Sequence, residues 1–504
     1  MQLRQLIDDL APLRVEGLLD REISGIAYDS RRVTPGMVFV AVPGRRTDGH
    51  DYIGTAIDRG AAAVICEQNG FGSSRVTKIK VADARVALAG AAAAYYGHPS
   101  RNLHVIGVTG TNGKTTVAFM IRQLLESAGM PCGLIGTVRY EIRERIIPAQ
   151  RTTPESLEVQ QLMSQMVRAG CRACVMEVSS HSLEQHRVDG VEFDAAVFTN
   201  LTQDHLDYHG TMENYFAAKR KLFVSLGNGR KNGTAVINID DSFGARLARH
   251  GDAANQITYG LGGGAQVRAT GVQLGTTSSR MKIVSPSSSF SCVLPLIGRH
   301  NIYNALAAVG TGLAMGIGKE PIVSMLNNCR PVPGRLEAIA CGQPFAVYVD
   351  YAHTDDALRN VLTTLREITG GRLLLMFGCG GNRDAGKRFK MGCVAAELAD
   401  ATVITSDNPR RESPELISAE IERGFRSVRD TGCRIELDRH RAIDEILRLA
   451  EPGDTVLIAG KGHETYQEVE DTVVPFDDRV QATEVLETLG WQARNKTTNP
   501  HSMN

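Results

Sequence analysis

Short apolar runs alternate with amphipathic stretches along most of this chain. The runs are β-branched and aliphatic, too short for buried helices, and bounded by Gly, Pro, Asn or Asp, as strands are. In residues 1–98 the runs 25–28, 37–41 and 62–66 predict strands, and the alanine-rich 86–96 predicts a helix. From 99 to 331, runs 104–108, 174–178, 195–199 and 234–239 alternate with helical patterns, which predicts a parallel, doubly wound sheet. The stretch 260–294 breaks the rhythm: rich in Gly, Ser and Thr, with alternating apolar residues, it reads as an antiparallel insertion. Beyond the Arg-Pro-Val-Pro-Gly at 330–334, runs 346–349, 372–377, 401–405 and 455–459 alternate with helices in a second, Rossmann-like α/β pattern.

The expected fold is therefore α/β in three domains. Residues 1–98 form a small N-terminal α/β domain, 99–331 a central, mostly parallel, doubly wound domain, and 332–490 a C-terminal Rossmann-like domain. Residues 491–504 lack core material and are expected to be a disordered tail. A length of 504 residues agrees with about three domains.

Composition works by exclusion. The 56 basic and 56 acidic residues cancel, so nucleic acid and anionic membrane are not expected as partners, and any cationic site must be local. Cys171 and Cys174 have C-x-x-C spacing, but no second pair follows and Cys174 lies in a strand run. The ten cysteines read as reduced thiols rather than a zinc or redox centre. The first ten residues carry acids where a signal peptide needs an apolar core, and the apolar stretch 86–96 is too short to span a bilayer. A cytoplasmic monomer is expected.

Loops following the strand runs carry the chemistry. Gly110, Thr111, Asn112, Gly113, Lys114, Thr115 and Thr116 form a glycine-rich turn between a strand and a helix. Backbone N–H groups of such a turn face phosphate, Lys114 neutralises it, and the Thr115 hydroxyl can ligate Mg²⁺. The general G-x-x-x-x-G-K pattern needs glycine at 108, where Val108 stands. Its formal match lies at Gly381 to Lys387, but Arg388 follows where a hydroxyl is required, and that loop reads equally as a plain turn or a ligand site. Glu177 closes the next strand run, where a carboxylate can hold the nucleotide's Mg²⁺. His205 and His209 stand four apart without the glutamate of H-E-x-x-H, which favours a Mg²⁺–ATP site over zinc. Helical spacing puts Lys219 on one face with Tyr215, Leu222 and Phe223. An ammonium there must snorkel, pair or lose its proton, and a neutral lysine can take up CO₂ as a carbamate.

Together these motifs resemble the Mur ligase family, the ATP-dependent amino-acid ligases of bacterial cell-wall synthesis, to about residue 490. The resemblance implies ATP and Mg²⁺, with catalytic Lys114, Glu177, His205 and Lys219, and with Thr115, Glu177, His205 and carbamylated Lys219 at the metal. Asn301, Arg335, Asp350 and His353 match further ATP-binding positions. Ser30, Arg45, Arg46, Thr47, Thr152, Thr153, Ser179, Gln185 and Arg187 match positions that bind the UDP-N-acetylmuramoyl dipeptide. Asp407, Asn408, Pro409 and Arg410 resemble the signature of the member that adds meso-2,6-diaminopimelate, and Arg383, Gly460 and Glu464 match other contacts to that amino acid. Arg151 stands where relatives can carry asparagine, and Asp355 where proline is familiar.

The implied reaction has the D-glutamyl γ-carboxylate attack the γ-phosphorus of ATP, after which the diaminopimelate amine displaces phosphate from the acyl phosphate. Arg410 or Arg383 can hold the distal carboxylate bidentately and Glu464 can pair with an ammonium. A lysine substrate would leave such an arginine facing no charge, which penalises the wrong amino acid. Two other readings compete. A folylpolyglutamate synthase would share the ATP machinery, but the N-terminal uridine-nucleotide region and Asp407 to Arg410 oppose it. A non-enzymatic nucleotide switch would need neither the Lys219 helix nor a second ligand region.

Overall fold

The computed structural model describes residues 1–8, 10–44, 47–68, 76–227 and 230–491. The expectations for Arg45, Arg46 and residues 492–504 of the tail lie outside the described residues. The predicted alternation is realised in three α/β sheets. The first orders Arg14–Glu16, Thr77–Lys80, Ala63–Cys66, Met37–Val40 and Gly25–Ala27, parallel except at the first strand. The helix Ala84–Tyr95 packs on it, started by Asp83, whose carboxylate accepts the N–H groups of Arg85 and Val86. Its alanines let helix and sheet approach closely around Leu3, Leu6, Val38, Ile65, Ile79 and Leu88.

The central sheet has eleven strands. Its parallel core runs Asn255–Gly260, Thr234–Asn238, Ala195–Phe198, His104–Thr109, Ala173–Glu177 and Cys132–Ile135. All but Asn255–Gly260 are mainly buried, apolar runs, as strands covered on both faces are. The register aligns Glu177 with Val108 and Phe198 with Thr109, so three strands deliver their carboxyl ends at one level.

Two features differ from the simple alternation. Cys132–Ile135 continues into an antiparallel hairpin, Arg139–Ile142 and Arg145–Pro148, that charged residues disguise in the sequence. The 260–294 stretch forms Val267–Leu274, Ser279–Val284 and Ser289–Leu294, neighbours whose short connections require antiparallel pairing. Its first strand pairs in parallel with Asn255–Gly260, so the stretch extends the sheet.

The third sheet orders Glu337–Ala338, Ala346–Asp350, Thr455–Ala459, Leu373–Phe377, Ala401–Ile404 and Cys433–Ile435. All but the first are parallel, so the loops after Asp350, Phe377, Ile404 and Ala459 leave the same edge. A small hairpin, Tyr466–Val469 with Thr472–Pro475, follows. Arg439 and Asp478, both fully buried, form a bidentate pair, and Arg439 also donates to the carbonyls of Ser406 and Ala459.

The residues group into two compact units. One comprises Met1–Thr270, Lys282–Phe290 and Tyr303–Leu326, the other Gly271–Met281, Ser291–Ile302 and Asn327–Asn504. Among the described residues no helix is long and apolar enough to cross a membrane.

Candidate active site

In the first unit the strand His104–Thr109 turns at Gly110 into a loop that opens the helix Lys114–Ser127. Gly110 has φ +149°, and a Cβ there would lie 1.9 Å from Thr199 Oγ1, so the chain can pass only as glycine. The segment after Ala195–Phe198 braces the loop: Thr199 Oγ1 donates to Asn112 O at 2.6 Å, Thr111 N to Asn200 O at 2.9 Å and Asn112 N to Asn200 Oδ1 at 2.9 Å. Lys114 Nζ folds over the turn, donating to Gly110 O (3.0 Å) and Thr111 O (2.8 Å). A glycine cradle, a helix start and a lysine thus meet as phosphate binding requires. Thr116 follows Thr115 in the first turn of that helix and is half-buried.

Glu177 is fully buried at the end of Ala173–Glu177. Its Oε2 accepts from Thr115 Oγ1 (2.9 Å) and Thr137 Oγ1 (2.9 Å), and its Oε1 from Thr137 N (2.8 Å). These three bonds satisfy a buried carboxylate. The expected Thr115 and Glu177 are brought together. Thr137 was not singled out from the sequence; its only signal is a Gly-Thr turn after an apolar run.

The network continues through the positions matched to the dipeptide substrate. Thr137 Oγ1 lies 3.1 Å from Thr152 Oγ1, Thr153 Oγ1 donates to Glu177 O at 2.8 Å, and Ser179 N donates to Thr153 Oγ1 at 3.1 Å. Arg187 donates to Thr153 O (3.0 Å) and Gln185 Oε1 (2.6 Å), and Gln185 Nε2 to Tyr208 OH (3.1 Å). Ser30 is buried in a 3₁₀ turn, Ser30–Arg32, of the first sheet region, and Thr47 is exposed.

Lys219 lies on the helix Met212–Val224 with Tyr215, Leu222 and Phe223, all at most 1% exposed, as the helical spacing predicts. Its Nζ donates to Gly110 O at 2.8 Å and sits 4.6 Å above the Tyr215 ring. Burial first, and Lys114 second, push its pKa well below the ordinary lysine value, with Asp204 opposing. The amine beside the Gly110 turn is therefore biased toward the neutral form that CO₂ requires.

His205 immediately precedes the short helix Leu206–His209, its ring 4.8 Å from that of His181 and its Nδ1 3.3 Å from Asp204 Oδ1. His209 points differently: it is buried, 3.0 Å from Ser180 Oγ, and stacked on Tyr215 at 5.1 Å. Among the described residues no group of three or more His, Cys, Asp or Glu is arranged around a metal. The hydroxyl of Thr115 and the carboxylate of Glu177 are oxygen donors suited to a hard cation that also takes ligands from phosphate.

A cavity of about 750 Å³ in this unit is not part of that arrangement. Arg101, Phe193 and Lys231 in its wall precede strands, at the opposite sheet edge from Gly110 and Glu177. Its Arg101, Arg220 and Lys231 are already paired with Glu192, Asp252 and Asp194.

In the second unit Asp350 accepts from Leu336 N (2.7 Å) and Ala352 N (2.8 Å), and burial raises its pKa. The Arg335 guanidinium lies 4.9 Å from the Tyr351 ring, and His353 Nδ1 is 2.9 Å from Tyr351 O. Arg335, Asp350 and His353 thus gather around Tyr351, while Asn301 Nδ2 donates to Ile297 O. Asp355, in place of proline, sits in the first turn of Asp355–Arg366, where an acid favours the helix dipole.

The loops after Phe377, Ile404 and Ala459 interlock. Lys461, completely buried, places Nζ 3.0 Å from Asn408 Oδ1, 3.4 Å from Glu464 Oε2 and 3.6 Å from Asp407 Oδ1. Asn408 Nδ2 donates to Glu464 Oε2 at 2.8 Å. Gly460 has φ +110°, and a Cβ there would lie 3.1 Å from Asp407 Oδ2. Pro409 O lies where a Cβ on Gly381 would come within 1.9 Å, so that glycine serves close packing of two loops. Arg388, which breaks the phosphate-loop pattern, is buried and donates to Glu412 (2.7 Å) and Glu420 (3.1 Å). Arg383 is exposed. Arg410 does not face an uncharged space: its Nε lies 2.5 Å from Glu468 Oε2. The expectation that a lysine substrate leaves it without a charge is corrected by that carboxylate.

Family models match residues 22–96 (Mur ligase family, catalytic domain), 108–312 (Mur ligase middle domain) and 334–462 (Mur ligase, glutamate ligase domain). A protein of Solibacter usitatus named UDP-N-acetylmuramoyl-L-alanyl-D-glutamate--2,6-diaminopimelate ligase is 45% identical over 480 residues, 95% of this chain and 96% of that protein. One of the same name from Gloeobacter violaceus is 46% identical over 478 residues, covering 94% and 96%. A solved structure of that ligase superposes with a TM-score of 0.71 at 31% identity, covering 97% of this chain and 99% of the other. Mycobacterium tuberculosis folylpolyglutamate synthase, at 18% identity and a TM-score of 0.60 over 81% of this chain and 96% of its own, shares the fold alone.

Proposed function

The chain belongs to the Mur ligase family, and on that premise we propose that it joins meso-2,6-diaminopimelate to the D-glutamyl γ-carboxylate of UDP-N-acetylmuramoyl-L-alanyl-D-glutamate at the expense of ATP. The product is a peptidoglycan precursor. The observation that carries this reading is likeness over nearly the full chain to ligases of that name. The folylpolyglutamate synthase reading has only fold-level likeness behind it.

In this account the loop from Gly110 to Thr116 binds the ATP phosphates, with Lys114 releasing its loop carbonyls to neutralise them. Asn301, Arg335, Asp350 and His353 hold the rest of the nucleotide. Thr115, Glu177, His205 and a carbamate on Lys219 would hold Mg²⁺, which would supply charge neutralisation at the γ-phosphoryl group. The carbamate forms when the neutral Lys219 amine adds to CO₂ and releases a proton. Residues 1–98, with Ser30, Arg45, Arg46 and Thr47, take the uridine nucleotide, and Thr152, Thr153, Ser179, Gln185 and Arg187 present the dipeptide carboxylate. Residues 332–490, through Arg383, Asp407, Asn408, Pro409, Arg410, Gly460 and Glu464, take the amino acid. Catalysis is then mainly positioning and electrostatics: the γ-carboxylate attacks the γ-phosphorus, ADP leaves, and the diaminopimelate amine displaces phosphate from the acyl carbon. We assign the protein to the cytoplasm as a monomer acting on small molecules, with neither nucleic acid nor membrane insertion.

Substrate carrying ¹⁸O in the D-glutamyl γ-carboxylate tests the route. With diaminopimelate as acceptor, the released phosphate should gain one ¹⁸O atom by mass spectrometry. Unlabelled phosphate accompanying amide formation would exclude the acyl phosphate.

A further inference from the structure

Arg410 is heavily constrained. It has φ +54°, a left-handed conformation uncommon outside glycine, and the neighbouring hairpin pins it on both sides. Arg410 N donates to Glu468 O at 3.1 Å, and Glu470 N to Arg410 O at 2.7 Å. Its Nη1 donates to Gly381 O at 2.8 Å, while Nε meets the Glu468 carboxylate at 2.5 Å. The two side chains are 24% and 30% exposed, so this ion pair is mostly shielded. Glu468 N donates to Asn408 Oδ1 at 2.9 Å, which ties Glu468 to the set containing Glu464 and Lys461.

Charge counting shows what this means for a ligand. Asp407, Glu464 and Glu468 are three carboxylates, and Lys461 and Arg410 two cations. The far end of diaminopimelate carries an ammonium and a carboxylate. The ammonium complements the excess negative charge, but the carboxylate must compete with Glu468 for Arg410.

Resting on the reading that Arg410 receives that carboxylate, we infer that Glu468 is a specificity-determining residue, an internal carboxylate that occupies Arg410 until the substrate's own displaces it. Selection is then an exchange of one carboxylate for another. L-Lysine brings no carboxylate to make the exchange, leaves the internal pair intact, and offers its ε-ammonium a partner in Glu468. Glu468 therefore raises the KM for diaminopimelate and narrows the preference over lysine.

Glu468→Gln keeps the shape and the backbone bonds that pin Arg410 while removing the charge. With ATP and nucleotide substrate saturating, the KM for meso-diaminopimelate should fall about three- to tenfold, the range for a shielded pair of this kind. kcat should be little changed, and the preference for diaminopimelate over L-lysine in kcat/KM should rise about threefold or more. Glu468→Ala should move the KM in the same direction. In an Arg410→Gln background, Glu468→Gln should change that KM by less than about twofold. If Arg410→Gln raises the KM but Glu468→Gln leaves it unchanged or raises it, Glu468 is only a clamp and the inference is overturned. If Arg410→Gln itself leaves the KM unchanged, the reading of Arg410 fails, and the inference with it.

Discussion

Glu177→Gln removes one charge from the buried carboxylate beside the phosphate loop and almost nothing else. Glu177 accepts one backbone N–H at Oε1 and two hydroxyls at Oε2. With its amide oxygen toward Thr137 N, a glutamine keeps that 2.8 Å bond, and its NH₂ faces the Thr115 and Thr137 hydroxyls, which can rotate to accept. No buried group is orphaned, so the stability cost is about 1 kcal/mol and the Tm falls by no more than about 4 °C. Catalysis should suffer far more. Losing a charged ligand from the Mg²⁺ environment removes about 3–4 kcal/mol of transition-state stabilisation, or about 10²–10³ in kcat. The assay is phosphate release across a Mg²⁺ titration, paired with a thermal melt. A kcat within about threefold of the parent, at an unchanged Mg²⁺ requirement, would refute the assignment of Glu177 to the metal.

Lys219→Ala should nearly abolish turnover, with partial recovery on adding a small carboxylate such as formate; parent-like activity without additive would refute the carbamate role. The lowered pKa of Lys219 also fixes a sign: between its folded value and the ordinary 10.5, the unfolded chain holds a proton the native chain lacks, so this residue makes stability rise with pH. In CO₂-free buffer, urea melts of Lys219→Met from about pH 8 to 10 should show a slope smaller by up to about 1.4 kcal/mol per pH unit, and equal slopes would contradict the shift. Asp478→Ala strands the fully buried Arg439 and should cost about 3–5 kcal/mol in denaturant melts, whereas a loss under about 1 kcal/mol would show the pair to be dispensable.

The strands and the glycine turn before Lys114 were legible because their signals are local. Apolar runs of strand length, a glycine turn and a following helix all lie within a few neighbouring residues, and Lys219 stood out because a charge interrupts an apolar helical face. The hairpin after Cys132–Ile135 escaped because Arg139, Glu141 and Arg145 hide its alternation. Thr137 escaped for a different reason: it is not marked by its neighbours and acquires its partner Glu177 only when strands distant in sequence bring loops together, just as the contacts of Lys461 with Asp407 and Asn408 form only in the fold. The pairing of Arg410 with Glu468 is of this second kind, and it changed the physical account of amino-acid selection.

Phosphate release with defined substrates tests the central claim most directly. The account predicts release from ATP only when UDP-N-acetylmuramoyl-L-alanyl-D-glutamate and meso-diaminopimelate are both present, with L-lysine a far poorer acceptor. Release supported by L-lysine but not by diaminopimelate, or release independent of the nucleotide substrate, would contradict it.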